Sequence, residues 1–571
     1  MNMTIMNNFF LFLSISLCVV CVYFLFVKKG EKKENKIIKG QKNQNHKVKQ
    51  ETVTITDRMD MPDKTYLIFL AATLLVAVAV RVYQFGSVPG GFNQDGVMAA
   101  VDGKALADYG TDRYGMRLPV HLTGWGYGQM SALLSYLLIP FIKLFGFSPL
   151  VLRLPQLIVS LAGLIVLYLF IRDVFGKNLA LIVLMFASVN PWHILQSRWI
   201  LDCNLYPHFF VFGIYFLYKG LGKRLYLFLS MIFFGLCMYC YGVSLYTMPI
   251  FLLASCIYLL LIKKIKIVDA LICVLIYLLV GGPFILVMMI NFFQWNTIET
   301  PLFTLPYFPD SIRSNDILFF SENIGSQLVQ NFKSLMNVTL LQVKDLPWND
   351  IQGFGTMYLF SMPFALLGIV TMFKRYRKEP GAILAFFFLL TGIFCGLLTN
   401  GVNINRINIV YYPIIIFTGI GLYEAVRLFA ATKWCLLAAY MLVFCMFTNT
   451  YFTSYAAEIK GYFHEDFGNA LKSVADADVD RYYITAYYTA ADLTEILILF
   501  HHQTDAEYFQ EKKDNGELPF HEKYTIGYLW DVTPDPSGNA AYVISQEELA
   551  YLNTDSFHVE QFGSYYALTP K

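Results

Sequence analysis

The chain has 571 residues, of which 56% are hydrophobic, 17% aromatic and only 15% charged. So little charge excludes an ordinary soluble enzyme, and a formal net charge of +2 without a basic domain excludes a nucleic-acid-binding protein. The ten cysteines lie almost entirely within apolar runs, which excludes a disulfide framework. Repeated apolar runs of about 18 or more residues predict an α-helical polytopic membrane protein.

The N-terminal part of the chain predicts an anchor followed by a linker. The apolar run 8–27 has no positive charge before it and no small-residue cleavage site after it, so we expect an uncleaved anchor within residues 1–27. Residues 28–64 are rich in Lys, Asn and Gln, which is typical of a disordered basic linker. Because Lys and Arg remain on the cytoplasmic side, the next apolar run, 66–83, is predicted to cross from inside to outside.

Basic residues mark every second connection between the later apolar runs. This alternation follows the positive-inside rule and predicts about twelve spans, about eleven of them in a transmembrane domain at residues 65–455. The other connections are therefore expected on the outer side, including two long polar loops at 84–149 and 291–354. The spans after 66–83 are expected near residues 150–171, 178–190, 204–218, 225–241, 245–262, 267–290, 355–373, 381–398, 409–426 and 434–452.

The first outer loop contains a short amphiphilic stretch. Ser131 to Phe145 is interrupted by Pro140 and carries Lys143. We expect an interfacial or re-entrant helix here, although the stretch leaves a full span open.

After Tyr455 the composition changes, and residues 456–571 predict a small soluble α/β domain on the outer side. His501-His502 closes one predicted helix, and a surface pair of histidines is more often inert than metal-binding. The helical patterns lie at 464–476, 490–502 and 546–552, and the β-type runs at 481–486, 524–529, 541–544 and 565–568.

The charged residues that suit chemistry cluster outside the apolar runs. The runs themselves carry almost no central charge, whereas a proton-coupled transporter or an ion pathway usually needs ionisable groups there. The outer loops instead hold carboxylates and guanidiniums close to the membrane. This arrangement suits an enzyme that acts on a substrate with one end in lipid.

Two carboxylates are the candidates for catalysis. Asp95 lies a few residues beyond the end of one predicted span, and Asp202 begins another, so the two could converge on one site. A carboxylate there can accept a proton from an attacking hydroxyl or amine. Turn chemistry at Asp95 and helix capping at Asp202 are equal alternatives on the residues alone. For Asp102, Asp108 and Asp112, helix capping is the favoured interpretation.

Basic and aromatic residues of the same loops are candidates for binding. Arg and Lys neutralise a phosphate leaving group, and Trp and Tyr stack on sugar rings but also prefer the membrane interface. For Arg406, snorkelling to the interface is an equal alternative. The phosphate-binding candidates are Arg406, Arg117 and Lys104, and the sugar- or acceptor-binding candidates are Trp125, Tyr127, Gln129, His121 and Arg198.

Several short motifs follow one another in a specific order. They are Gly91-Phe-Asn-Gln-Asp95, Tyr109-Gly-Thr-Asp-Arg113, Trp125-Gly-x-Gly-Gln129, Arg153-Leu-Pro155, Pro191-Trp-His193 and Ser197-Arg-Trp199. Each is weak alone, but the ordered set with this topology resembles the bacterial membrane glycosyltransferases of family thirty-nine. These have the GT-C fold and are related to the protein O-mannosyltransferases and the lipid A aminoarabinose transferases. The resemblance is dense over residues 66–260 and extends to about 455.

The resemblance implies a polyprenyl-phosphate-linked sugar donor and a glycan, lipid or protein acceptor on the outer face of the plasma membrane. It implies that the first-loop acid, Asp95, is the catalytic base and that Asp202 is the second-loop acid. Relatives commonly carry an Asp-Glu pair where this chain has Asp95-Gly96, a departure that bears on the acceptor more than on the reaction. Some relatives use divalent metal ions and others do not, and no ligand cluster in this sequence demands a metal.

Two other functions remain open on the sequence. The main alternative is a transporter or flippase of lipid-linked sugars, and a third is an inactive scaffold or sensor whose outer domain binds glycan. Replacement of Asp95 by Asn separates the transporter or flippase from an enzyme, because only an enzyme loses sugar transfer while it retains donor binding.

Overall fold

The computed structural model describes residues 3–27, 61–125, 129–309, 316–510, 520–532 and 539–571. The described chain is mostly helical: a bundle of apolar helices carries a small α/β domain at its C-terminal end. Most of the predicted linker, 28–64, lies outside the described residues.

Eight helices in the described part of the chain are long and apolar enough to cross a membrane. Each coincides with a predicted span, so the polytopic helical fold is confirmed. They are Ile5–Phe26 (within the helix Met3–Val27), Asp63–Val82, Pro149–Phe175, Ser244–Leu261, Ile267–Phe293, Pro380–Leu398, Asn408–Leu428 and Thr432–Phe452.

The other four predicted spans are shorter helices. A continuous helix needs about 20 residues to cross the hydrocarbon core. These helices are shorter, and irregular turns at Asp202–Asn204, Leu359–Ser361 and Met372–Tyr376 continue two of them. Broken helices are tolerated at membrane depth where neighbouring protein covers the backbone. The four are Lys177–Ser188, Tyr206–Gly220, Arg224–Cys237 and Met362–Thr371.

Glycine allows the closest of these helix contacts. Met362–Thr371 packs against Tyr411–Leu428 through Gly368, where an added Cβ would lie 1.8 Å from the Phe417 carbonyl oxygen. Gly421 on the opposite helix is equally close to the Phe364 carbonyl, at 1.9 Å. The two backbones therefore touch, which buries the short helix without a full-length span.

Two buried charges lie inside the bundle, which the sequence interpretation had left out. Arg81 is fully buried and donates to the carbonyls of Ala77 and Ser188 at 2.9 and 3.0 Å. Glu424 is also fully buried and pairs with Arg375 and Arg427 at 2.9 and 2.7 Å. Glu424 is thus neutralised by two guanidiniums, whereas Arg81 is stabilised by hydrogen bonds to backbone carbonyls.

The first outer loop is built around one helix. Gln94–Tyr109 ends at Gly110, whose left-handed φ of 74° lets the chain turn away. The helix Leu133–Phe145 then packs along it, with the Ser135 hydroxyl donating to the Ala99 carbonyl at 2.9 Å. The expected short helix of this loop is therefore present. Between the two helices lies the antiparallel pair β1 (His121–Leu122) and β2 (Met130–Ser131).

The two long loops, at 84–149 and 291–354, touch each other. The Val120 amide donates to the Thr304 carbonyl at 3.0 Å, which joins the first loop to the loop after Ile267–Phe293. That second long loop contains β3 (Ile298–Glu299), β4 (Thr304–Leu305), the turn Leu318–Phe320 and the helix Ile324–Thr339, and the loop at 191–203 contains the helix Pro191–Gln196.

The C-terminal domain is an α/β domain, as predicted. Its five-stranded sheet has the order β6-β5-β7-β9-β8, with β5 parallel to both β6 and β7. The strands are β5 (Arg481–Thr485), β6 (Tyr524–Gly527), β7 (Ala540–Ser545), β8 (Phe557–Phe562) and β9 (Tyr565–Pro570). The helices are Ser454–Tyr462, Glu465–Val474, Ala491–His501, Ala506–Gln510 and Phe520–Lys523.

Three details of this domain differ from the sequence prediction. The strand β8 was not predicted, because most of its side chains are exposed and it lacks a buried alternating face. The predicted helix 546–552 is only the turn Leu549–Tyr551. His501 and His502 are partly buried rather than a surface pair, and burial lowers the pKa of His501 to about 3.

Candidate active site

Asp95 lies in the first turn of the first-loop helix. The Asn93 side chain caps that helix by accepting the Asp95 amide at 3.1 Å. The Asp95 carboxylate is partly exposed, and its Oδ1 accepts a hydrogen bond from the Trp125 indole at 2.8 Å. A neutral indole donor thus helps to orient the carboxylate.

Gly96 brings the first loop against the short loop at 191–203, called the second loop from here on. An added Cβ at Gly96 would lie 2.6 Å from the carbonyl oxygen of Ile200. Ile200 lies two residues before Asp202, so this contact sets the two candidate acids on adjoining backbones. A glutamate in place of Gly96 does not fit this approach, which gives a physical reason for the departure from the Asp-Glu pair.

Asp202 starts a short turn and is nearly buried. Its Oδ1 accepts the Cys203 amide at 2.6 Å. Burial raises the pKa of the Cys203 thiol well above its ordinary value, and the charges of Asp202 and Asp95 both raise it further. Because Gly96 packs on Ile200, the structure brings the backbone segments that carry the two predicted acids together. The helix-capping alternative for Asp202 is not seen: neither the turn it starts nor the helix Tyr206–Gly220 has a side-chain cap.

A buried asparagine fixes the second loop from the opposite side. The Asn408 amide donates to the Cys203 carbonyl at 3.1 Å and to the Asn204 side chain at 3.2 Å. Its own oxygen accepts the Trp192 indole at 2.7 Å. Sequence reasoning missed Asn408, although it closes the asparagine-rich loop 399–408 that already contained Arg406.

Arg153 holds the segment that leads into Asp95. Its guanidinium is buried, donates to the Gly91 carbonyl at 2.7 Å and lies over the Phe92 ring at 4.7 Å. The Phe92 amide in turn donates to the Phe463 carbonyl at 2.8 Å. The entry to Asp95 is thus tied both to the bundle and to the start of the C-terminal domain.

Arg198 does not have the environment of a sugar-binding residue. Its side chain is fully buried. Nη1 and Nη2 donate to the carbonyls of five residues, and Nε donates to the Tyr451 hydroxyl at 3.0 Å. Arg198 therefore clamps the end of the helix Asp63–Val82, which corrects the sequence assignment. The five carbonyls are those of Val80, Arg81, Tyr83, Gln84 and Val88.

Arg406 is a phosphate-binding candidate with a partly accessible guanidinium. Its side chain is 26% exposed and pairs with Asp316, with Nη1 to Oδ1 at 3.1 Å. Nη1 also donates to the Asn400 carbonyl, and the Arg406 amide donates to Asn403 Oδ1 at 3.0 Å. These bonds hold Arg406 at the outer loop by specific partners rather than by snorkelling alone.

Three other candidates lie in settings that do not favour their predicted roles. Lys104 pairs with Asp108 at 2.7 Å and lines a cavity against the C-terminal domain, on the helix face opposite Asp95. Arg117 has an exposed side chain on the hairpin that contacts Thr304. His121 is buried between Phe284 and Phe308, with ring centroids 5.3 and 6.1 Å away, which is a packing environment.

The remaining aspartates of the first loop have distinct structural roles. Asp102 is not a cap: it is fully buried in the middle of the helix and pairs with Arg113 at 2.6 Å. Asp112 caps a turn rather than the predicted helix, accepting the amides of Tyr114 and Met116 at 3.0 and 2.9 Å. Burial, reinforced by the charge of Asp102, raises the pKa of Asp112 to about 7.

The aromatic motif of the first loop is described in part. Trp125 contacts Asp95, and Gln129 is partly buried beside β2. Tyr127 lies outside the described residues. Among the residues that the structure does describe, no group of three or more His, Cys, Asp or Glu side chains is arranged to hold a metal ion.

This helical bundle, with an acidic first-loop helix packed against an acidic second loop, has the GT-C fold of membrane glycosyltransferases. Residues 131–291 match the family model described as dolichyl-phosphate-mannose-protein mannosyltransferase. That segment includes Asp202 but not Asp95. The resemblance predicted from the ordered motifs is confirmed at this level.

Solved structures of one protein are similar over nearly the whole chain. ArnT from Cupriavidus metallidurans bound to undecaprenyl phosphate is 13% identical, with 89% of this chain and 98% of that chain covered and a TM-score of 0.54. Apo ArnT from the same organism is also 13% identical, with 88% and 97% covered and a TM-score of 0.51. Among curated proteins, none matches the chain by sequence. The family match and the fold together indicate glycosyltransferase activity.

Proposed function

We propose that the protein transfers a sugar from a polyprenyl-phosphate donor to an acceptor on the outer face of the plasma membrane. The observation that carries this proposal is the close packing of Gly96 on Ile200, which places the backbone of Asp95 beside the loop that carries Asp202. The polytopic fold and the alternation of basic connections support the membrane location and the outward orientation of both long loops.

In the proposed reaction Asp95 is the general base. An acceptor hydroxyl or amine gives its proton to the Asp95 carboxylate as its oxygen or nitrogen bonds to the anomeric carbon of the donor sugar. The bond from that carbon to the phosphate oxygen breaks, and polyprenyl phosphate leaves with the bonding electrons. In-line attack inverts the anomeric configuration. The Trp125 indole, 2.8 Å from Oδ1, keeps the carboxylate directed during this step.

Arg406 is the proposed partner of the leaving phosphate. Its guanidinium is accessible and is bound to Asp316, so a phosphate that approaches replaces one carboxylate partner by a more strongly charged one. ArnT, whose fold this chain shares, was solved bound to undecaprenyl phosphate, which supports a lipid phosphate as the leaving group. Asp202 stays near Asp95 as the second acid that shapes the electrostatics of the site.

The test compares Asp95→Asn with Asp108→Asn in cells that lack the wild-type gene. Both substitutions replace an aspartate of the same helix, but Asp108 is 40% exposed and pairs with Lys104. We expect Asp95→Asn to lower sugar transfer by about 10² to 10⁴-fold, the usual contribution of a general base. Asp108→Asn should be nearly neutral. Sugar transfer is measured from the surface glycans by mass spectrometry. Donor-site binding is measured with undecaprenyl phosphate as the probe.

The outcomes separate the proposed enzyme from a flippase. Transfer lost with undecaprenyl phosphate binding intact supports the enzyme. Unchanged glycan output in Asp95→Asn removes Asp95 from the mechanism. Assignment to transport follows if lipid-linked sugar is lost from the outer face while sugar transfer stays intact in a reaction supplied with donor at that face.

A further inference from the structure

Five aromatic side chains of the C-terminal domain are exposed together. Tyr487, Tyr488, Tyr528, Trp530 and Tyr551, named here the aromatic platform, are between 37% and 63% exposed. Tyr528 and Trp530 stack with ring centroids 5.1 Å apart and planes 5° apart. Tyr487 and Tyr551 contact the Trp530 ring at 5.8 and 5.6 Å. A contiguous aromatic surface of this kind marks an interaction site.

The strand order explains why these residues meet. The strand β5 is parallel to β6 on one side and to β7 on the other. Tyr487 and Tyr488 follow β5, Tyr528 and Trp530 follow β6, and Tyr551 follows β7, so the platform is built from three carboxyl-end loops. In open α/β sheets ligands bind outside the carboxyl ends of parallel strands. A shallow depression lies there, lined by Tyr483, Thr485, Thr525, Gly527, Leu529 and Glu548, among others.

A buried carboxylate fixes the aromatic segment. Glu548 is fully buried and accepts the Leu529 amide at 2.7 Å and the Ser545 amide at 2.8 Å. Leu529 lies between Tyr528 and Trp530 in the chain. Burial of a carboxylate is costly unless it is hydrogen-bonded, so these bonds hold the stacked pair in one arrangement. The platform is therefore preorganised.

The polar groups around the platform distinguish a glycan from a lipid surface. Glu547 accepts the Tyr488 hydroxyl at 2.6 Å, and Asp531 follows Trp530 with an exposed side chain. Carboxylates at this position oppose the negative surface of a bilayer. They are good acceptors for sugar hydroxyls, while the rings offer flat apolar faces to the C–H faces of a sugar.

The platform is remote from the entry to Asp95. The helix Ala491–His501 starts beside the carboxyl end of β5, and near its other end Phe500 contacts Phe92 and Phe147 at 5.0 and 5.3 Å. At 1.5 Å per residue the helix separates its two ends by roughly 15 Å. A ligand on the platform therefore occupies a different site from the sugar that Asp95 is proposed to transfer.

We propose that the aromatic platform binds an oligosaccharide, and that this oligosaccharide is part of the acceptor. The second statement rests on the proposed transferase activity; the binding itself does not require transfer. The platform then holds a distal segment of the acceptor glycan and keeps its growing or modified end near the first loop.

The test measures binding by the full chain in lipid nanodiscs. The probe is polysaccharide released from the envelopes of the source cells by mild acid and labelled with a fluorophore at its reducing end. We expect Trp530→Ala to weaken binding by at least about tenfold, because stacking on the largest ring is lost. Tyr551→Ala, at the most exposed position, should weaken it less.

The matched control is Trp295→Ala. Trp295 is 48% exposed and stacks on Phe293 at 5.1 Å, but it lies in an outer loop of the bundle. Equal binding by Trp530→Ala and Trp295→Ala, with both variants melting like the wild type, overturns the proposal. Failure of the wild type to bind the released polysaccharide also overturns it.

Two further measurements keep this proposal separate from its rivals. Asp95→Asn should bind the probe normally while it loses transfer, so the two proposals fail independently. The difference in fluorescence between the wild type and Trp530→Phe gives the emission of Trp530. Brominated lipids should not quench this emission. Strong quenching of that difference assigns the platform to the membrane surface instead.

Discussion

The two halves of the helix Gln94–Tyr109 carry the same acidic side chain in opposite environments. Asp95, in the first turn, is partly exposed, and a neutral indole donates to it at 2.8 Å. Asp102, about two turns later, is fully buried and paired with the Arg113 guanidinium at 2.6 Å. One half faces the second loop, and the other supports the contact with the C-terminal domain.

The difference teaches which aspartate is able to do chemistry. Asp102 is buried against a permanent cation and holds structure, because protonating it would leave Arg113 buried without a counter-charge. A carboxylate that is oriented by a neutral donor and open to solvent is able to gain and lose a proton. In this helix the residue type alone therefore does not indicate whether an aspartate has a structural or a chemical role. The interaction partner of each carboxylate indicates it.

The largest expected effect is on folding, from Asp102→Asn. Removing one charge of a buried pair costs about 3–5 kcal/mol, since the other remains buried without a counter-charge. We expect a marked fall in the melting temperature of the detergent-purified protein, whereas Asp95→Asn should melt like the wild type.

A paired replacement sharpens this result. Asp102→Leu combined with Arg113→Met removes both charges and should recover part of the lost stability, because apolar replacement of a whole buried pair is often tolerated. Equal melting of Asp102→Asn and Asp95→Asn would contradict the division of the helix into two environments.

The next effect is on catalysis, from Trp125→Phe. This change removes the indole donor to Asp95 but keeps an aromatic ring. Loss of a hydrogen bond to a charged group costs about 1.5–3 kcal/mol, so we expect at least about tenfold slower transfer with little change in melting. Trp295→Phe, in a distant exposed pair, is the control. Full activity of Trp125→Phe would show that the indole does not orient the base.

The smallest effect is on the pH dependence of stability, from Asp112. Burial raises its pKa from 3.8 to about 7. Because the folded value lies above the unfolded one, the stabilisation is complete below about pH 4 and is lost as the pH rises through about 7. Asp112→Asn cannot ionise, so its melting temperature should fall less than that of the wild type over this window. Parallel curves for the two proteins would remove Asp112 as the titrating group.

The parts of the fold that depend on local patterns were predictable from the sequence. Apolar length and the distribution of Lys and Arg located every long span, and the alternating runs of the last 116 residues (456–571) indicated an α/β domain. Contacts between distant segments were not predictable. Gly96 looked like a missing carboxylate, but its role is set by Ile200, which is remote in sequence.

The site was predictable in its acids but not in its supports. Asp95 and Asp202 were identified by their position at the ends of spans, which is a local property. Arg198 resembled a sugar ligand because it lies in a polar outer loop, whereas its partner Val80 is 118 residues earlier. Lys104 is placed by helical phase on the face opposite Asp95, a periodicity that the sequence already contained.

The Arg198 clamp also has a consequence for biogenesis. Its guanidinium is removed from water and depends on carbonyls of residues 80–88, which leave the ribosome long before Arg198 itself. The loop at 191–203 therefore cannot form its native contacts until the helix Asp63–Val82 is already inserted. The contacts of Arg198 thus favour folding in the order of synthesis, in which an early span provides the hydrogen-bond acceptors for a later loop.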